Sequence, residues 1–161
     1  MLSSRLVNHA AIAAILALGM QAEPALASPG SGVTAETYVT GKLVGANQQN
    51  SDRVKFQTKD DTAVRVQKLV FSPGGYTGWH HHPGIVIVTV LSGTIQMMHS
   101  DCSIHEYGPG SPHGSVFVEG EQRVHEASSA DGATVFATYV APDANPLLFR
   151  VEDPVPFCAQ E

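Results

Sequence analysis

The sequence predicts a single all-β domain, a sandwich or barrel, and three observations carry that expectation. Short β-branched or alternating runs recur along the chain, clusters of Gly, Pro, Ser and Asp separate them, and no segment beyond Ser28 shows a helical apolar period with caps. The length of 161 residues is enough for one domain with a real core. No internal repeat, low-complexity tract or second domain interrupts the pattern.

Residues 1–27 read as a cleavable export signal. Arg5 precedes an apolar run from Ala10 to Met20, and Ala25-Leu26-Ala27 supplies the small-x-small cleavage pattern. The run is about half the ~20 residues a membrane-spanning helix needs, so the mature chain is expected to begin near Ser28, periplasmic or secreted, with no membrane attachment. Residues 28–60 then form a lead-in, with "SPGSG" as a flexible start, and edge strands. Residues 61–145 carry the main strands. "AVRVQKLVF" (63–71) is the first and "SPGG" (72–75) reads as a turn. "IVIVTV" (85–90) follows, with "TIQMMH" (94–99) as its hairpin partner. "GPGSPHG" (108–114) is a turn cluster before "SVFVE" (115–119) and "RVHEA" (123–127). "SSADG" (128–132) breaks the chain ahead of "ATVFATYVA" (133–141). Residues 146–161 hold a last strand, "LLFRV" (147–151), and a tail.

Charge and cysteine content exclude some functions and favour others. The net charge is −6, and loss of Arg5 and Glu23 with the leader leaves it unchanged. An acidic chain without a basic run is a poor partner for nucleic acid or for anionic membranes. In an exported protein the two cysteines, Cys102 and Cys158, are expected to pair.

The stretch "GYTGWHHHPG" (75–84) is the strongest chemical signal. In an extended backbone alternate side chains share a face, so His80 and His82 point one way while Trp79 and His81 point the other. Pro83 holds His82 out of the helical region. Two imidazoles on one face begin a site for Fe, Mn, Ni, Zn or Cu, and a further ligand must come from elsewhere in the chain.

These residues resemble the first cupin motif: a glycine, His-x-His, a glutamate and a closing glycine at fixed spacings. Gly74, His80, His82 and Gly93 fit, while Val86 stands where the glutamate belongs. The second motif is fainter. Gly114 and His125 fit, but Gly120, Gln122 and Ser129 replace its proline, glycine and asparagine. The resemblance runs from about Val64 to Ala141. It implies a single cupin (double-stranded β-helix, jelly-roll-like) barrel, a metal site on His80, His82 and His125, and a small-molecule substrate. A homodimer is a further expectation, since dimers are common in this family.

Val86 shares the parity of the two histidines, so a site of neutral imidazoles with an aliphatic wall is expected. Such a site leaves a divalent ion its full charge and makes it a strong Lewis acid. Three-histidine cupins include Fe(II) dioxygenases, which makes an oxidoreductase the leading expectation. The alternatives are a small-ligand or metal-binding protein without turnover, and a metal-free barrel. Tyr76, Met97, Phe117 and Tyr139 are candidate pocket residues beside Val86. His99, His105 and His113 fall at no motif position and read as surface or loop residues, and Glu119, Glu121 and Glu126 as solvent-exposed.

Overall fold

The computed structural model describes residues 29–121 and 123–160, so the predicted leader lies outside the described residues. Among the described residues there are twelve strands and one short 3-10 turn at Phe157–Ala159. The strands are β1 (Ser31–Leu43), β2 (Asn47–Asn50), β3 (Lys55–Thr58), β4 (Thr62–Tyr76), β5 (His80–His81), β6 (Ile85–Gly93), β7 (Ile95–His99), β8 (Ile104–Tyr107), β9 (Val116–Glu119), β10 (His125–Ser129), β11 (Ala133–Pro142) and β12 (Val151–Glu152). Ten of them form one antiparallel sheet that curls into a nearly closed barrel, with the path β12-β5-β10-β4-β11-β6-β9. β1 adds to β4, β7 joins β10, and β8 joins β7; β2 and β3 make a separate hairpin.

The barrel closes because its central strands alternate strictly. On β6, Val86, Val88 and Val90 point inward while Ile85 and Ile87 face out. On β11, Ala133, Val135, Ala137, Tyr139 and Ala141 point inward. The two strands pair in register, Tyr139 opposite Val86 and Ala137 opposite Val88, so their inward rows merge into one core. Burying each such valine contributes roughly 1.5–3 kcal/mol relative to exposure. A one-residue slip would turn the whole row to solvent.

Three sequence expectations are corrected. Ser72–Gly75 is not a reversal: β4 continues through it, bending, and changes partners there. Up to Phe71 it pairs with β11, and at Gly75 and Tyr76 it pairs with β10. The bend relies on Gly74, whose φ is +74°. Residues 94–99 are not the hairpin partner of β6, whose two edges are taken by β11 and β9. At Gly93 the chain crosses instead to the other wall of the barrel, where β7 pairs with β10 and β8. A Cβ at Gly93 would stand 2.2 Å from the Gly132 carbonyl oxygen, so only glycine fits this corner. Finally, 147–151 is not a strand. Only Val151 and Glu152 pair, with β5, while Leu147–Arg150 turn into the barrel mouth.

Candidate metal centre

The centre is assembled by strand pairing. β5 presents His80, and the chain continues extended into His82; both side chains are buried, at 4% and 3% exposure. His81, facing the other way, is half-buried and donates from Nδ1 to Asp153 Oδ2 at 2.6 Å. Gly84 lets the chain after Pro83 pass close against β11, since a Cβ there would lie 2.1 Å from the Val140 carbonyl oxygen. The third imidazole opens β10, where His125 pairs directly opposite His80 and is 1% exposed. One ring nitrogen from each of the three falls within 4.8 Å of the others.

Hydrogen bonds to the backbone fix which nitrogens converge. A carbonyl oxygen can only accept, so each Nδ1 must carry the proton it shares. His80 Nδ1 donates to Gly78 O at 2.8 Å, His82 Nδ1 to Phe149 O at 2.6 Å, and His125 Nδ1 to Arg123 O at 2.7 Å. The neutral form of each ring therefore presents a bare Nε2 lone pair. Metal-ligating histidines are characteristically oriented in this way. His125 Nε2 is buried without a hydrogen-bond partner.

A carboxylate stands against these lone pairs. Glu119, on β9, is buried at 8% exposure. Its Oε2 lies 3.0 Å from His82 Nε2 and its Oε1 3.3 Å from His125 Nε2. The expectation of a solvent-exposed Glu119 is overturned, and with it the expectation of an uncharged site. Val86 does face inward, at 2% exposure, but it pairs across the ladder with Glu119. The strand beside Val86 thus brings in the carboxylate that Val86 lacks.

Charge distribution follows from this packing. Burial above all, with the nearby charges of His125 and Arg150, pulls His80 down to about 2, so it is neutral at any ordinary pH. Burial alone would raise Glu119, but its contacts with His125 and His82 outweigh that and hold it at about 2. For His125, burial pushes downward and the Glu119 carboxylate more than reverses it, leaving a net rise. Tyr139, in ring contact with His82 at 5.6 Å, is pushed up to about 12, mainly by burial and then by the Glu119 charge. It remains a neutral phenol.

Beside the centre lies a cavity of about 500 Å³, open on one side. Tyr76, Val86, Phe117 and Tyr139 line it. Met97 does not: it is 1% exposed and packs in the hydrophobic core. The chain segment after β11 covers part of the mouth. Phe149 stacks edge-on with Tyr139, and its carbonyl holds His82. The Arg65 guanidinium lies 3.9 Å over the Phe149 ring. Arg150 reaches back to Thr77 O at 2.6 Å and pairs with Glu152. The tail is anchored by the Cys102–Cys158 disulfide.

The other histidines form a row rather than a cluster. His99 and His105 lie on strands β7 and β8, half-buried, with Nδ1 atoms that lack hydrogen-bond partners. They are not the surface or loop residues the sequence implied; only His113 sits exposed on a loop. Ring centroids step from His125 to His99 (6.5 Å), to His105 (5.8 Å) and to His113 (5.1 Å).

No protein-family model and no curated protein matches the chain. Similarity is found among solved structures. Salicylate 1,2-dioxygenase from Pseudoaminobacter salicylatoxidans, a cupin, solved in complex with gentisate, superposes with a TM-score of 0.54 at 15% identity, over 80% of this chain and 31% of that one. The chain has the cupin fold. It spans about a third of the dioxygenase's length. A conserved protein of unknown function from Streptococcus pyogenes is similar at 19% identity, over 70% of this chain and 76% of that one, with a TM-score of 0.48. A cupin superfamily protein from Desulfitobacterium hafniense is 12% identical over 66% of this chain and 81% of that one, with a TM-score of 0.43.

In cupin terms, both motif strands are in place and the departures become interpretable. The glutamate missing from the first motif has a counterpart five residues past Gly114, within the spacer of the weakened second motif. Its signal was present in "SVFVE". Phe117 and Glu119 share strand parity, so a cavity-facing Phe117 entails a cavity-facing Glu119.

Proposed function

We propose that this cupin is an exported metalloprotein that binds one divalent transition metal ion on His80, His82 and His125 and acts on a small organic molecule in dioxygenase-like oxidoreductase chemistry. One observation carries the metal reading: three buried imidazoles, each with Nδ1 committed to a backbone carbonyl, turn their Nε2 lone pairs into one small space. Leaving such acceptors buried and unpaired is costly. The donor set suits Fe, Mn, Ni, Zn or Cu alike.

A metal ion bound there supplies Lewis acidity and, if redox-active, a site for O₂. The chain's own groups set the rest. The inward rows of β6 and β11 give the cavity an apolar wall opposite its polar groups. Tyr139 places a neutral hydroxyl-bearing ring against His82. Arg65 puts a permanent cation on the cavity wall, suited to an anionic group on the substrate. The gentisate complex of the salicylate dioxygenase supports a small, ring-bearing carboxylate as the first class to test. Export is supported by the leader pattern and by the disulfide.

The test is elemental analysis of the purified protein, followed by O₂ uptake with a panel of aromatic carboxylates, thiols, diketones and phenols. About one equivalent of a transition metal with substrate-dependent O₂ consumption is the expected result. Tightly held metal with no turnover across the panel would replace the enzyme reading with a binding one. Less than a tenth of an equivalent after growth in metal-replete medium would leave a metal-free barrel.

A further inference from the structure

We propose that Glu119 is the fourth protein ligand of this centre, supplied by β9 to the space that the residue at position 86 of β6 would otherwise fill. The inference rests on the metal reading above and adds to it a ligand that the sequence motif does not contain.

The Nδ1 protons of His82 and His125 are committed to Phe149 O and Arg123 O. Their Nε2 atoms are then acceptors in the neutral rings, and both face the oxygens of a carboxylate, which is an acceptor only. Acceptors that approach one another in a buried site need a cation between them, and a single proton would serve only one of the two contacts, as an imidazolium–carboxylate pair, leaving the other ring's lone pair against an acceptor. A proton on each ring would place two imidazolium ions with centroids 5.3 Å apart beside a third imidazole, for a single carboxylate. One divalent ion serves all the acceptors at once.

The distances agree with this. Metal–nitrogen and metal–oxygen bonds for these ions run about 2.0–2.2 Å, so neighbouring ligand atoms at 90° to 109° stand roughly 2.9–3.5 Å apart. The observed separations are 3.0 Å for Glu119 Oε2 to His82 Nε2 and 3.3 Å for Oε1 to His125 Nε2. Both match an edge of a coordination polyhedron. The second is not aligned for a hydrogen bond, and His125 Nε2 is left without one.

The fold explains how the carboxylate arrives. Val86 and Glu119 are direct register partners on neighbouring antiparallel strands. Side chains at such positions lie on one face with Cβ atoms about 4.5–5.5 Å apart. A carboxylate on the β9 side therefore addresses the same volume as one on the β6 side. Among the described residues, no lysine or arginine forms an ion pair with Glu119. A buried carboxylate needs a compensating cation, and the histidine site is where this one points. The consequence is a centre carrying one compensating negative charge, a weaker Lewis acid than three neutral imidazoles would give.

The experiment is competition titration of metal-free protein with Co(II) and Zn(II), recorded with the visible spectrum of the Co(II) form. Three proteins are compared: wild type, Glu119→Gln, and the swap Val86→Glu with Glu119→Ala. Far-UV circular dichroism and melting in chelator establish that each is folded. Glu119→Gln is expected to bind at least 100-fold more weakly with a shifted Co(II) ligand-field band, and the swap to recover at least tenfold of that loss. Wild-type affinity in Glu119→Gln, or weaker binding with an unshifted band, would overturn the proposal. So would a folded swap variant that recovers nothing. Failure of the wild-type protein itself to bind either ion would overturn the underlying metal reading instead, and is read from a different sample.

Discussion

Two groups of three histidines lie within one barrel, and they differ in what surrounds them rather than in number. His80, His82 and His125 each have Nδ1 tied to a carbonyl, and their remaining nitrogens converge. His99, His105 and His113 are strung out by β7, β8 and the following loop, and two of them have buried Nδ1 atoms with no partner. Orientation by the backbone, not the presence of imidazole, separates a convergent donor set from a row of rings. One such carbonyl, that of Phe149, belongs to the C-terminal segment, so the tail is part of the centre.

The sharpest way to break this contrast is to remove each group in turn. Alanine at His80, His82 and His125 together should reduce bound metal from about one equivalent to under a tenth. Alanine at His99, His105 and His113 should leave it near one. Elemental analysis reads both, and equal losses would erase the distinction.

The next largest effect concerns the tail. The disulfide closes a chain separation of 56 residues, worth about 4 kcal/mol in the chain-entropy model. Replacing both cysteines by serine should cost a large part of that in urea denaturation. It should also weaken metal binding about tenfold, because the Phe149 carbonyl loses part of its anchorage. Unchanged affinity in the destabilised variant would show that the tail does not orient His82.

A smaller effect is expected from pH on the chelated, metal-free protein. His80 is depressed to about 2 in the folded state, whereas the unfolded chain protonates near 6.5. Below pH 6.5 the unfolded state therefore binds one more proton, and stability falls as pH falls, by about 1.4 kcal/mol per pH unit. Glu119, depressed to about 2 from 4.5, adds a second loss below about pH 4.5 in the same direction. His125, whose folded value is raised, contributes nothing to the acid slope and loses its contribution as pH rises above 6.5. Urea midpoints between pH 6.5 and 5 should fall, and His80→Gln should flatten that slope. An equal slope in the variant would place the titration elsewhere.

The smallest effect tests the cavity wall. Arg65→Met should weaken binding of anionic aromatic ligands about tenfold, roughly 1.4 kcal/mol, and leave neutral analogues unchanged. Calorimetric titration against a carboxylate and its amide distinguishes the two.

Much of this was legible in the chain, and the reasons are physical. The His-x-His parity follows from strand geometry alone, and Pro83 keeps that backbone extended. The alternation of β11, and the common parity of Val86 with the histidines, likewise follow from period 2. What was not legible depended on pairing at long range. Glu119 precedes Gly120-Glu121-Gln122, a polar run that reads as a solvated turn. Its strand parity with Phe117 puts the two on one face, but that this face points at the histidines follows only once β9 is known to pair with β6. Ser92-Gly93-Thr94 has hairpin composition but serves as a corner between walls, because β11 had already claimed the neighbouring edge of β6. Leu147–Phe149 reads as a strand from its apolar content, yet it lies unpaired along the rim of a cavity that no local pattern reveals, with only Phe149 buried.

X-ray absorption at the metal edge of the loaded protein tests the central claim most directly. The account predicts a first shell of light N/O atoms near 2.0–2.2 Å, with the outer-shell scattering of three imidazoles that vanishes in stepwise fashion in His80→Ala, His82→Ala and His125→Ala combinations. A first shell without imidazole scattering, or one unaltered by those substitutions, would contradict it.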